Sequence, residues 1–225
     1  MIVGRGLIAT AFKNSLFDSS AFVVFASGVS NSTESDPAAY ARELALLDPY
    51  LSKSTTLIYF STTSVFDPTK ADTPYIRHKR VIENLIRDQA EHYLIVRLPI
   101  LIGHTANPYT LINFLANAIR LQRKIHLHAQ ACRHLLDIDD LIPILTPYAA
   151  QPATKQIINI PGSQKIPVPQ LIHKMESVLG IKGVFAWEDT GACYDIPSGE
   201  GQTIFIDHPT YLDEVLHKYL ANPSS

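Results

Sequence analysis

The sequence predicts a parallel, doubly wound α/β sheet, and three observations carry that reading. Ala21–Ala26 (AFVVFA) is a continuous apolar run, as expected of a strand buried on both faces. Segments with apolar residues at helical spacing alternate with such runs through the first half of the chain. A glycine-bearing turn, Val3-Gly4-Arg5-Gly6-Leu7-Ile8-Ala9, stands between the first strand and the first helix.

The elements follow in order. Met1–Val3 is a short apolar strand that runs into the glycine turn, and Leu7, Ile8, Ala11, Phe12 and Leu16 then recur at helical spacing. Ser27–Asp36 is small and polar, hence a loop. Asp36-Pro37 opens a helix with an acidic N-cap and proline at the first helical position, and the helix runs to about Leu51. Thr56–Ser61 is the next strand, followed by a loop containing Asp67-Pro68. Tyr75 to about Gln89 is a helix, and Tyr93–Leu98 a strand. After Gly103 the texture changes. A helix near Tyr109–Leu121, a short strand Lys124–His128 and a helical stretch opened by Asp137–Asp140 come first. A strand at Gln156–Ile160, an amphipathic helix Pro169–Leu179 and a final helix Pro209–Leu220 complete the chain. The expected organisation is a core over residues 1–103 with a smaller lobe, 104–225, packed on the same sheet.

Bulk properties narrow the classes. The chain has 225 residues, 46% of them hydrophobic and 18% charged, enough for a sizeable core and against disorder. A net charge of −2 argues for neither nucleic acid nor an anionic membrane surface as partner. No apolar run approaches the ~18 residues of a spanning helix. The N-terminus lacks a basic segment before its apolar part and is interrupted by glycines, unlike a signal peptide. Two cysteines, Cys132 and Cys193, are too few for a disulfide framework, so a cytoplasmic location and an inert Cys193 thiol are expected.

One pair of segments points to chemistry. Phe60-Ser61-Thr62-Thr63-Ser64-Val65-Phe66 ends a strand, and Tyr75-Ile76-Arg77-His78-Lys79 opens a helix. Tyr75 and Lys79 are one turn apart on one helix face. The ammonium would then favour the phenolate and lower a phenol pKa that starts near about 10, fitting it to move protons near neutral pH. Taken alone, the pair also fits a solvated helix face, and the glycine turn also fits an ordinary strand–helix connection. Together they point to proton transfer accompanying hydride transfer at a nicotinamide.

These segments resemble the extended short-chain dehydrogenase/reductases, specifically the NAD-dependent epimerase/dehydratase group. FSTTSVFDP is similar to the strand end carrying the catalytic Ser/Thr, which places Thr62 in that role, and PYIRHK to the Tyr-x-x-x-Lys helix. VRLPILIG (Val96–Gly103) is similar to the strand and turn passing the nicotinamide, and CRHLLDIDDL (Cys132–Leu141) to a segment whose arginine reaches a nucleotide phosphate. Ile157–Gly180 is similar to the family's C-terminal strand, loop and helix.

The resemblance implies a Rossmann-like core and an NAD(P)-dependent oxidoreductase or epimerase acting on a nucleotide-linked sugar. It implies Thr62, Tyr75 and Lys79 as the catalytic set. Gly4, Arg5, Gly6, Leu7, Ile8, Ala26, Ser27, Gly28, Lys79 and Pro99 would hold NADP or NAD, and Ser61 and Arg133 the substrate. It further implies a homodimer through helices 36–51 and 75–89. The chain departs from the family on the adenosine side. Two strands and a helix normally intervene before the strand resembling Ala21–Ala26, and the ribose-binding acid about 20 residues past the glycines has no counterpart. The sheet is therefore expected to be shortened there. Arg5 either meets a 2′-phosphate or faces solvent. The shortening leaves an alternative open, a non-catalytic binding or regulatory protein on the same scaffold. Dehydration is the least expected of the family's reactions, because Thr63 and Ser64 follow Thr62 where an acid/base pair would be needed.

Other candidates are weaker. His126 and His128 share a strand face, yet no third metal ligand is evident, so a polar strand edge is expected and no metal. His78 is expected to point away from the site, Asp137, Asp139 and Asp140 to start a helix, and Trp187 either to face the substrate or to pack in the core or a lid.

Overall fold

The computed structural model describes residues 1–151, 153–163, 165–197 and 200–221. It divides into two units. The first comprises Met1–Leu98, Ile138–Ile160 and Ile196–Ile204, and the second Pro99–Asp137, Pro161–Asp195 and the chain from Phe205 onward. The expected division was a single cut at residue 103. The chain instead returns to the first unit twice, because late strands complete the early sheet.

In the first half the elements are β1 (Ile2–Val3), α1 (Leu7–Phe12), β2 (Phe22–Phe25), α2 (Pro37–Leu51), β3 (Thr56–Thr62), α3 (Pro74–Gln89) and β4 (Tyr93–Leu98). Then come β5 (Ile100–Ile102), α4 (Leu111–Arg120), β6 (Ile125–His128), β7 (Cys132–Arg133), β8 (Leu135–Asp137) and α5 (Leu141–Ala149). The last are β9 (Lys155–Gly162), β10 (Ile166–Pro167), α6 (Val168–Leu179), β11 (Phe185–Glu188), β12 (Gln202–Phe205) and α7 (Tyr211–Leu220). The helix expected from Leu7 to Leu16 stops at Phe12. The short strands β5, β7, β8, β10, β11 and β12 carry too few residues for a periodicity signal.

The main sheet has the order β1-β2-β3-β4-β9-β12. β1 to β4 and β9 are parallel, with Ile2 opposite Val24, Val24 opposite Ile58, Ile58 opposite Leu94, and Leu94 opposite Gln156. This is the Rossmann-like sheet, shortened where β1 forms an edge. Helices cover both faces. Val23, Phe25, Leu57, Tyr59, Tyr93 and Ile95 pack with Leu47 and Leu51 of α2 and Ile82 and Ile86 of α3. Phe60 points to the other face, where its ring meets Phe12 of α1 at 5.3 Å between centroids.

The strand order and these faces have a topological consequence. The connections β1–α1–β2 and β2–α2–β3 step across the sheet in the same direction but with their helices on opposite faces. The two crossovers therefore have opposite hands, although about 98% of such connections are right-handed. The β2–α2–β3 and β3–α3–β4 connections agree with each other, so β1–α1–β2 is the exception.

The second unit has its own core. Ile112, Leu115 and Ile119 of α4, Leu171 and Met175 of α6, and Leu216 of α7 are buried together. Asp137 ends β8 rather than opening a helix, and accepts hydrogen bonds from Lys218 Nζ at 2.7 Å and Tyr219 OH at 2.6 Å. Helical turns begin one residue later, at Ile138.

Candidate active site

Thr62 closes β3. Its Oγ1 accepts the Ser64 N–H at 3.1 Å and turns the chain into the 3₁₀ segment Thr63–Phe66. Thr73 caps α3 by accepting the Ile76 N–H at 3.3 Å, with Pro74 at the first helical position. Tyr75 therefore sits in the first turn of α3. It is 7% exposed, and the Thr62 hydroxyl lies near enough to its phenol to favour the ionised form. Lys79, one turn on, has its Nζ 5.8 Å from the centre of the Tyr75 ring. The structure thus brings the sequence-predicted hydroxyl, phenol and ammonium together.

The electrostatics differ from expectation. The Lys79 ammonium is buried, and its hydrogen bonds go to the Tyr59 hydroxyl at 3.0 Å and to Glu43 Oε1 at 3.3 Å. Glu43 lies in α2 and is fully buried. It also accepts from Val29 N–H at 2.6 Å, from Tyr59 OH at 2.8 Å and from His78 Nε2 at 3.0 Å. Burial opposes its ionisation, but the His78 hydrogen bond, the Lys79 charge, the Val29 N–H and the Tyr59 hydroxyl hold its pKa down to about 2. Tyr75 was expected to be acidified by Lys79. Its pKa is instead raised, first by burial and then by the Glu43 charge, with the Thr62 hydrogen bond opposing. Burial also lowers the pKa of Lys79, against the pull of Glu43. His78, expected to point elsewhere, is buried on the same carboxylate.

Glu43 is the residue that sequence reading missed. A signal was present: Glu43, Leu47 and Leu51 form the buried stripe of α2 at a spacing of four, and a carboxylate on an apolar stripe requires a partner. Glu83 belongs to a second such group. Arg97 donates Nε and Nη2 to its two oxygens at 3.0 and 2.6 Å, and Ser61 donates Oγ at 2.5 Å. Ser61, expected on the substrate, is committed to this carboxylate.

The glycine turn is built as a close approach. Gly4 has φ +133°, and a Cβ there would lie 2.3 Å from the Ala26 carbonyl oxygen at the end of β2. Ala26 N–H in turn donates to the Val3 carbonyl at 2.7 Å. Gly6 caps α1 with open space around its α-carbon, Arg5 is exposed, Leu7 and Ile8 are half-buried, and Ala9 is buried. The Ser27 carbonyl accepts from Arg42 at 3.4 Å. Gly28 faces the buried network, where a Cβ would meet Glu43 Oε1 at 2.7 Å and Lys79 Nζ at 2.9 Å.

The remaining candidates lie in the second unit. Pro99 precedes β5. Arg133 is on β7, which pairs with β10, and its guanidinium donates to the Cys132 carbonyl at 2.8 Å. Cys193, expected to be an inert thiol, is joined to Cys132 in a disulfide. Sequence spacing concealed this pair: the two residues are 61 apart and meet because the 188–192 segment runs beside 129–132, with Ala129 N–H on the Glu188 carbonyl and Gln130 N–H on that of Thr190. His126 and His128 are exposed on β6 and contact Glu188 and Thr190 of the adjacent strand and its extension. Among the described residues no group of three His, Cys, Asp or Glu side chains is placed to hold a metal ion. Trp187 is 45% exposed beside Phe185 rather than packed in the core.

No protein-family model and no curated protein matches the chain. Solved structures do share its fold. A variant of UDP-glucuronic acid 4-epimerase from Bacillus cereus, solved with UDP-4-deoxy-4-fluoro-glucuronic acid and NAD, superposes with a TM-score of 0.68 at 15% identity. The match covers 95% of this chain and 76% of that one. The dTDP-4-dehydrorhamnose reductase from Bacillus anthracis, solved with NADP, gives 0.63 at 15% identity over 88% of this chain and 79% of its own. RMD from Pseudomonas aeruginosa, solved with NADPH, gives 0.62 at 16% identity over 99% and 88%. The chain therefore has the Rossmann-like architecture of these proteins. Among the described residues no helix is long and apolar enough to cross a membrane.

Proposed function

We propose that the chain is an NAD(P)-dependent oxidoreductase or epimerase acting on a nucleotide-linked sugar. The observation that carries this reading is the buried Tyr75 phenol acted on by the Thr62 hydroxyl, with the Lys79 Nζ 5.8 Å from its ring one turn along α3. The likeness to proteins solved with NAD, NADPH and a UDP-sugar supports the cofactor and substrate class.

The residues present fit the cofactor at one end. Gly6 has open space around it for a phosphate, and Thr62 and Tyr75 suit the nicotinamide end, whereas the Lys79 ammonium, expected on the ribose, is held by Glu43 and Tyr59. At the adenosine end the sheet stops at β1, so that half of the cofactor would rest on the 4–9 turn and on Ala26–Gly28. The nicotinamide would supply or accept the hydride. The protein's own part is proton transfer and orientation. As a neutral phenol, Tyr75 carries an O–H that can be donated to a substrate carbonyl oxygen. A phenol kept neutral by burial and by Glu43 is an acid, which suits the direction in which a carbonyl is reduced. Arg133 would take a substrate phosphate. A homodimer through α2 and α3 completes the reading: both helices expose apolar side chains, Leu46 and Val81 among them.

The test is titration with NADPH, NADH, NADP and NAD, followed by calorimetry and by fluorescence transfer from Trp187 and the tyrosines. Micromolar binding of one form is expected, and Tyr75→Phe should then keep that binding while losing turnover by roughly 10²-fold or more. Absence of binding by both methods overturns the reading in favour of a non-catalytic scaffold protein.

A further inference from the structure

The buried Glu43 carboxylate has no part in the family resemblance and none in the sequence reading, yet it is the most heavily engaged group near Tyr75. It reaches from α2 to the backbone of Val29, to β3 through Tyr59, and to α3 through His78 and Lys79. Gly28 is the residue that lets this happen, since any side chain there would strike both Glu43 Oε1 and Lys79 Nζ. Lys79 therefore spends its charge on Glu43 and its second hydrogen bond on Tyr59, with its Nζ 5.0 Å from the centre of the Tyr59 ring.

We infer that Glu43 is a positioning residue: it anchors the Lys79 ammonium beside Tyr59 and keeps Tyr75 a neutral phenol, ready to donate a proton. This rests on the reading of Tyr75 as the proton-transfer group. A free buried lysine one turn from a phenol would draw it toward phenolate. Paired with Glu43, the lysine presents no net charge to it, and the Glu43 charge raises the Tyr75 pKa in the same direction as burial. The groups facing Glu43 are Tyr40 on its own helix, Tyr59 on β3, and Tyr75, His78 and Lys79 on α3, with Glu83 acting on Tyr59 and Lys79 from further along. Among these, Lys79 is the buried ammonium, so its pairing decides what Tyr75 experiences.

The experiment is a pH titration of ¹³C-ζ-tyrosine-labelled protein by NMR, with the Tyr75 signal assigned by its loss in Tyr75→Phe. It needs neither cofactor nor substrate, so its outcome is separate from that of the cofactor titration. In the wild type Tyr75 is expected to remain a phenol beyond the ordinary tyrosine range, and ionisation below that range would overturn the inference. In Glu43→Gln the ionisation is expected to move down by at least about one pH unit, and an unmoved titration would overturn the role of Glu43. If Glu43→Gln does not fold, Glu43→Gln/Lys79→Met removes both charges of the pair and should leave Tyr75 a phenol beyond the ordinary range, as burial alone requires; a fall into or below that range would overturn the inference that the unpaired lysine is what Glu43 guards against. A structural role alone would change the melting temperature and leave the Tyr75 titration where it was.

Discussion

Acid titration of stability isolates Glu43 in a second way. The carboxylate titrates at about 2 in the fold against 4.5 in its ordinary state. Burial works against this depression, and the His78, Lys79, Val29 and Tyr59 contacts outweigh it. A folded pKa below the unfolded one means that the unfolded chain binds the proton first on acidification. The Glu43 contribution is therefore complete above about pH 4.5 and disappears as the pH falls through about 2. A depression of about 2.5 pH units corresponds to roughly 3 kcal/mol. Glu43→Gln should lower the unfolding free energy at pH 7, because it leaves Lys79 buried without its counter-charge. The gap between wild type and variant should then shrink by about 3 kcal/mol between pH 6 and pH 2. Urea unfolding at closely spaced pH values, followed by circular dichroism, measures it. A gap that stays constant to within about 1 kcal/mol would show that Glu43 is not held as an ion in the fold.

The other predictions concern packing and covalent structure. Gly28→Ala should cost about 2 kcal/mol in chemical unfolding, since its Cβ lies 2.7 Å from a pinned carboxylate oxygen, whereas Gly6→Ala, with nothing within 4 Å, should cost less than about 1. Gly4→Ala should be the most damaging of the three, because φ is +133° and the obstacle is backbone. Arg97→Leu leaves Glu83 buried and should destabilise by about 3–5 kcal/mol in the same assay. Intact-mass analysis after alkylation should find Cys132 and Cys193 blocked until reduction, and Cys132→Ser should lose about 2–4 kcal/mol; labelling without reduction would refute the link.

Much of the fold was legible because it is encoded locally. Asp36-Pro37 announced α2, and Asp36 Oδ1 does accept the Ala38 N–H at 2.9 Å. The run Ala21–Ala26 became β2, and the Tyr75–Lys79 spacing became one face of α3. The elements not foreseen, such as β7 with β10 and β11 beside the expected β6, are short strands that exist because a distant segment pairs with them. At the site, the sequence identified the hydroxyl, the phenol and the ammonium, and misjudged the balance among them. Residue spacing puts Lys79 near Tyr75, but it does not reveal a carboxylate 36 residues earlier that reaches the ammonium first.

The sequence by itself determined the alternation of buried strands and amphipathic helices, the turn that only a glycine can make at position 4, and the presence of Tyr75 and Lys79 on one helical face. These follow from backbone sterics and from periodicities that repeat within a few residues. Tertiary structure alone decided that one crossover would take the uncommon hand, that Cys132 would meet Cys193, and that Lys79 would answer to Glu43. Each of those depends on which distant segments share a low-dielectric interior, where a charge must find its partner wherever the chain happens to supply one.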